Sequence, residues 1–189
     1  MKKEVVNFNS ADVLTLSPRE DTLYNVCYDG SWKGQKSLIV NLEHPNVSCK
    51  IYCGYRVSLG NVIDLITTVV HKAPNTFCDT KIKGVLFDGG ISNYRGKVVI
   101  ERFAQGSSSY LENATLVVGN ATHNHTEPIM QIEANDVGAS HSSFTGRVDE
   151  KQIYYLQSRG LSKEESTELL VDAFLESIEV RHIVSQRTK

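Results

Sequence analysis

No apolar run in this sequence is long enough to span a bilayer, and the first ten residues, Met1 to Ser10, carry two lysines but no apolar stretch of signal-peptide length. Neither a membrane protein nor a secreted one is expected, so the reading places the chain in the cytoplasm. Charge of one sign is lacking as well. Twenty Lys and Arg stand against 22 Asp and Glu, and a net charge of -2 supplies no global field to gather nucleic acid or an anionic membrane. Cysteine is sparse. In a reducing compartment Cys27, Cys49, Cys53 and Cys78 read as free thiols rather than a disulfide framework. The glycosylation-type triplets beginning at Asn46, Asn113, Asn120 and Asn124 carry no weight there. Also missing are a Gly-rich phosphate loop, a nucleophile elbow and a metalloprotease helix motif, so the chain does not read as an ATPase.

What is present suits one soluble domain: 189 residues, 40% of them apolar, can bury a sizeable core. Residues 1–36 are the least legible, with turns at Ser17-Pro18 and Asp29-Gly30 and a short strand around Leu23 to Cys27. They read as a lead-in strand or a loosely attached arm. From 37 to 146 the chain becomes a succession of short β-type runs: Leu38 to Leu42, Val47 to Tyr52, Val62 to Val70, Val85 to Phe87, Lys97 to Ile100, Thr115 to Val118 and Ile129 to Ile132. Gly, Asn, Asp and Pro separate them. No stretch between them is long and amphipathic enough for a crossover helix, which excludes an ordinary α/β sheet. A β-sandwich and a β-solenoid both remain open on periodicity alone.

Residues 147–189 change character. Asp149 with Gln152 and Ser162 with Glu165 have the spacing of capping boxes, and Gly160 lies where the first helix should stop. The second helix shows Leu169, Leu170, Ala173, Phe174 and Ile178 as its main apolar stripe, with Val171 and Leu175 beside it. The tail from Arg181 to Lys189 reads as frayed.

The segments Gln131–Val137, Ser140-His141, Gly146–Glu150 and Gln152–Leu161 resemble the SufB/SufD family, the scaffold subunits of the SUF iron-sulfur cluster assembly machine. His71–Thr76, Lys83–Leu86 and Gly96–Ile100 are similar to the family's core rungs, and the resemblance covers more than half of the chain. It implies a mainly β fold, a right-handed parallel β-helix core with a C-terminal two-helix cap. It also implies a non-catalytic scaffold that pairs with a SufB-like subunit or with itself as a homodimer, and that docks a SufC-like ATPase through the helical hairpin. The helical domain that usually precedes the family core has no counterpart in this sequence. A transient iron-sulfur cluster is the implied cargo, with no intrinsically bound cofactor.

The resemblance gives the chain's residues distinct roles. His141 stands at a position linked to cluster building in the SufD-type subunit, and a neutral imidazole at a strand end can ligate iron; it is the metal-binding expectation. Glu112 stands where the SufB-type subunit has an essential cysteine and is, with His141, the expected cluster-assembly pair; Ala139 stands where many members have another cysteine, and Ser142 where the SufB-type subunit has a glutamate. The chain therefore looks like a SufD-like or shortened member. Tyr155, Arg159, Val171 and Leu175 are the expected partner-docking residues. Two other groupings are weighed beside these. Cys49, Cys53 and Cys78, with His71, could form a metal or sulfur-handling site, although buried cysteine is a common core filler. His123, His125 and Glu127 could form a cupin-like iron site, against which Pro128 marks the stretch as a solvated turn between rungs. A cupin-like metal enzyme and a degenerate β-helix interaction protein without a cluster role are the alternatives.

Overall fold

The chain runs through eleven strands before its two helices, and no strand pairs with the one that follows it. A computed structural model describes residues 1–8, 11–28, 32 and 34–176. The strands are β1 (Lys2–Val6), β2 (Val13–Leu16), β3 (Thr22–Cys27), β4 (Lys36–Leu42), β5 (Ser48–Val57), β6 (Val62–His71), β7 (Phe77–Leu86), β8 (Ile91–Ile100), β9 (Ser108–Val117), β10 (His123–Ile132) and β11 (Gly138–Arg147). The helices are α1 (Glu150–Ser158) and α2 (Lys163–Glu176). Odd strands form one sheet in the order β1-β3-β5-β7-β9-β11, and even strands form a second in the order β10-β8-β6-β4-β2. Every pairing is parallel. A chain that alternates between two such sheets is a parallel β-solenoid, which decides between the two all-β arrangements. Residues 1–36 supply three strands that continue these same sheets.

The register shows the repeat that composition hides. Cys49, Cys78, Ser109 and Ala139 stand in one column, successive members lying 29, 31 and 30 residues apart. Alternate residues of each strand face inward, so Leu38, Val40, Leu42, Ile51, Leu65, Val69, Ile82 and Ile100 fill the interior. Each buried Leu, Ile or Val contributes about 1.5–3 kcal/mol relative to exposure. Corners repeat with the strands: Asn46, Asn75 and Gly106 all take positive φ at one corner, and the Asn75 N–H donates to the Gln105 carbonyl beside Gly106. Inside, large residues face small ones on the next rung. The Tyr55 ring lies against Gly84, its register partner, and its hydroxyl shares a 2.7 Å hydrogen bond with Ser92.

The two ends of the coil differ. Early in the chain, Phe8, Tyr28 and Trp32 pack edge to face at 5.0 Å and fill the interior. At the opposite end β10 and β11 are the outermost strands. Positions that are buried in β9 become exposed in β11 at His141, Ser143, Thr145 and Arg147. Among the described residues the helical hairpin leaves that end open and flanks the coil instead. Val171 and Leu175 of α2 pack on Val85, with Phe87, Leu116 and Val118 around them on the outer face of the odd-numbered sheet. Arg56 of β5 reaches both Glu168, at 2.7 Å, and Asp172, one helical turn apart. Both capping sites form: Asp149 accepts from the Lys151 N–H, and Ser162 and Glu165 exchange hydrogen bonds at 3.1 and 2.8 Å.

His71 closes β6 and is fully buried, its Nδ1 2.8 Å from the Thr76 hydroxyl and its Nε2 without a partner. Burial lowers its pKa from 6.5 to about 4. The unfolded chain therefore gains a proton near pH 6.5 while the folded chain stays neutral down to about 4. This contribution is complete above pH 6.5 and is lost as pH falls through that window. Urea unfolding at pH 7 and pH 4.5 should show a loss of roughly 2–3 kcal/mol from this group, much reduced in His71→Gln. Gly84→Ala would drive a methyl group into the Tyr55 ring. It should cost about 1–3 kcal/mol, read as a lower midpoint in thermal unfolding.

Candidate functional site

The open end of the coil is built by the pleat of three strands. Leu111 and His141 are register partners and share the inward face, while Glu112 and Ser142, the next pair, face outward. The side chain of His141 is exposed, and no hydrogen bond links it to another described residue. Ala139, two residues earlier, shares its face and supplies no ligand atom. Beneath this rim the interior turns polar. Thr126 donates to Asn113 Oδ1 at 2.9 Å, Asn124 donates to the Thr145 hydroxyl at 2.9 Å, and the Thr115 hydroxyl donates to Asn124 Oδ1 at 3.4 Å. His141 thus stands at the mouth of a hydrogen-bonded throat in which the groups immediately below it are neutral.

Glu112 belongs elsewhere. It lies on the outer face beside Lys81, its register partner, and close enough to Lys83 to oppose the downward pull of burial on that lysine's pKa. Its expected grouping with His141 is therefore corrected: consecutive strand positions alternate, so the two side chains leave opposite faces of one sheet.

The core cysteines are inward and buried, with Cys49 and Cys78 on neighbouring strands in register. The hydrogen bond between these two thiols, then burial, push the Cys49 pKa far up, and burial does the same to Cys53. All four cysteines are free thiols, and the protonated core ones are poor metal ligands. His71 bonds to Thr76, not to a cysteine. No group of three His, Cys, Asp or Glu side chains among the described residues could hold a metal ion.

His123, His125 and Glu127 lie in strand β10, not in a turn, which corrects the reading from Pro128. Proline is tolerated there because β10 is an edge strand. The three side chains share the outer face, and Glu127 is paired with Arg95 at 2.6 Å. An open solenoid has no barrel mouth in which they could converge, so the cupin-like arrangement is absent.

The hairpin presents a second surface. Tyr154, Tyr155 and Leu169 are 75%, 57% and 49% exposed. The Arg159 guanidinium lies 5.3 Å from the Tyr155 ring centre. Lys151, Gln152, Tyr155, Leu156 and Leu170 line a shallow groove between the helices. Val171 and Leu175, expected to dock a partner, are instead 0% and 4% exposed, held inside the chain by the Val85 cluster. The buried stripe of α2 is rotated accordingly: Val171 and Leu175 face the coil, and Leu169 and Ala173 are exposed. Both helix faces carry apolar residues, so only the tertiary contact decides which is covered. Ile178 and the tail from Arg181 lie outside the described residues. Arg56, which fixes α2, gave no sequence signal beyond the acidic pair Glu168 and Asp172 at helical spacing, whose partner is over a hundred residues away.

The chain is similar to an iron-sulfur cluster assembly SufBD family protein of Staphylococcus saprophyticus, with 38% identity over 117 residues, 62% of this chain and 25% of the relative. A second relative, an iron-sulfur cluster assembly SufBD family protein of Staphylococcus epidermidis, is 37% identical over 119 residues, 63% of this chain and 26% of its own. One from Staphylococcus aureus is 37% identical over 117 residues, again 62% and 25%. The chain thus spans about a quarter of the length of the curated relatives it matches. The family described as SUF system FeS cluster assembly, SufBD core domain, matches residues 3–174, nearly the whole solenoid and hairpin. With that match and a parallel coil carrying two C-terminal helices, the chain belongs to the SufBD family of the SUF iron-sulfur cluster assembly system.

Proposed function

We propose that this chain is a non-catalytic scaffold subunit for iron-sulfur cluster assembly, with two working surfaces. The open end of the coil meets a second coil, either a SufB-like subunit or another copy of itself. The hairpin docks a SufC-like ATPase. The observation that carries the reading is His141, held on the inward face of an edge strand, exposed and free of partners among the described residues. Edge strands with unpaired backbone invite strand addition, and a joined partner would enclose His141 at the seam. Iron and sulfide are cargo there, with the imidazole as one ligand. Softer ligands must come from the partner, because this chain's core thiols are protonated and Ala139 and Ser142 offer no thiolate. The setting is a cytoplasm that keeps those thiols reduced. No helix among the described residues is long and apolar enough to cross a membrane.

Docking of the ATPase is supported by the exposed aromatics of α1 and by the way α2 is fixed. Force on α1 would pass through α2 to Arg56, Val85 and Lys83, and so to β5 and β7 of the coil. Co-purification with a SufC-type ATPase tests the reading. Capture is expected with the native hairpin, reduced about tenfold or more by Tyr155→Asp, whose exposed site leaves the fold intact. A native chain that captures no ATPase would overturn this role for the hairpin. Anaerobic loading with iron and sulfide beside a SufB-like chain checks the other surface: His141→Ala should lower the cluster absorbance, and equal absorbance would remove His141 from the site.

A further inference from the structure

The register brings one pair of core thiols face to face. Cys49 of β5 and Cys78 of β7 are register partners, both fully buried, and a hydrogen bond joins their side chains. Register partners on neighbouring strands stand about 4.8 Å apart at Cα, inside the roughly 4.4–6.8 Å that a disulfide spans. The other cysteines have no such match. Val26, not Cys27, is the register partner of Cys53, so Cys27 leaves the opposite face of the sheet. Cys53 follows Cys49 by four residues on the same strand, about 13 Å along it.

The two sulfurs of the pair differ. Cys78 Sγ lies 3.7 Å from the Thr80 hydroxyl as well as against Cys49, so two donors can stabilise a thiolate there. The hydrogen bond with Cys78, then burial, hold Cys49 protonated. Beyond Cys78 the same column runs to the open end through Ser109 and the half-buried Ala139, both small. Ser109 is fully buried, and its hydroxyl has no partner among the described residues. Buried hydroxyls are normally hydrogen-bonded, so Ser109 Oγ offers a polar contact to a small molecule one rung from Cys78, on the side that leads to solvent.

We propose that Cys78 is a site of oxidation by hydrogen peroxide, entering from the open end past Ser109, and that the product is a disulfide with Cys49. The Cys78 thiolate attacks one peroxide oxygen and the O–O bond breaks. The leaving hydroxide takes the proton that Cys78 gave up and departs as water, with a sulfenic acid on Cys78. The Cys49 sulfur then attacks the Cys78 sulfur, the S–O bond breaks, and the hydroxyl leaves with the Cys49 proton as a second water. Two thiols are oxidised and one peroxide is reduced. The new bond staples β5 to β7, the strands that hold α2 through Arg56 and Val85.

Peptide mapping of the folded full chain after exposure to hydrogen peroxide tests the proposal, with remaining thiols alkylated in denaturant and no reduction. The Cys49 and Cys78 peptides should appear joined, and neither should be joined to Cys27 or Cys53. In Cys49→Ser the sulfenic acid has no second thiol to meet, so dimedone should label Cys78. In Cys78→Ser it should leave Cys49 unlabelled. Ser109→Ala removes the hydroxyl and should slow linkage about threefold or more. Circular dichroism establishes that each variant is folded, and the map of the native chain stands without any variant. Cys49 and Cys78 recovered as separate alkylated thiols, or joined to other cysteines, overturn the site. Dimedone on Cys49 in Cys78→Ser overturns Cys78 as the attacking sulfur, and a folded Ser109→Ala that links at the native rate overturns entry past Ser109.

Discussion

The parallel backbone ladder between neighbouring rungs governs everything else in this chain. Each strand satisfies half of its hydrogen-bonding groups on the rung before and half on the rung after, so a residue has two neighbours except at the ends. The interior ladder fixes side-chain columns, and those columns decide what each position can do. Cys49 over Cys78 is a buried pair because register stacks them, and Tyr55 fits because Gly84 is its neighbour. Where the ladder stops, the same geometry leaves unpaired backbone and a face without cover.

That termination accounts for the separation of roles. Its inward face holds His141 above neutral hydrogen-bonded groups, while its outer face holds Glu112 among lysines. The hairpin lies on the flank of the odd-numbered sheet, away from the open end, and is fixed there by an apolar patch and by one arginine shared between two carboxylates. A partner on the hairpin and a partner on the coil end therefore need not compete for the same surface. They are linked through β5, β7 and β9, successive strands of one sheet, of which β5 and β7 hold α2 and β9 pairs with β11.

Much of the fold was legible because local chemistry and tertiary structure agree. The N-cap at Asp149, the Ser162–Glu165 box and the stop at Gly160 were readable, since caps are formed by residues close in sequence; Asp149 caps the Lys151 N–H, two residues on, and not the expected Gln152. The β-runs were found but cut short: β7 extends from Phe77 because Asp79, Lys81 and Lys83 face outward, which a search for apolar runs misreads as loop. β11, rich in Gly and Ser, gave no strand signal because its inward face has no core to meet. Periodicity could not choose between sandwich and solenoid, since the repeat of about thirty residues is written in register and not in recurring residue types. The site was less legible. His141 stood out through its resemblance to family positions, but its separation from Glu112 depends on the pleat. The docking stripe of α2 was misassigned because the helix has apolar residues on two faces, and only contact with Val85 shows which is buried.

The most direct test of the stacked coil is proton NMR of the isotope-labelled chain, read for contacts between neighbouring strands. Parallel in-register rungs predict amide-to-Hα contacts that link the Cys49, Cys78, Ser109 and Ala139 column and the Leu111–His141 pair, with no short Hα–Hα contacts between strands. Strong Hα–Hα contacts between adjacent strands, the mark of an antiparallel sandwich, would contradict the ladder and with it the position given to His141.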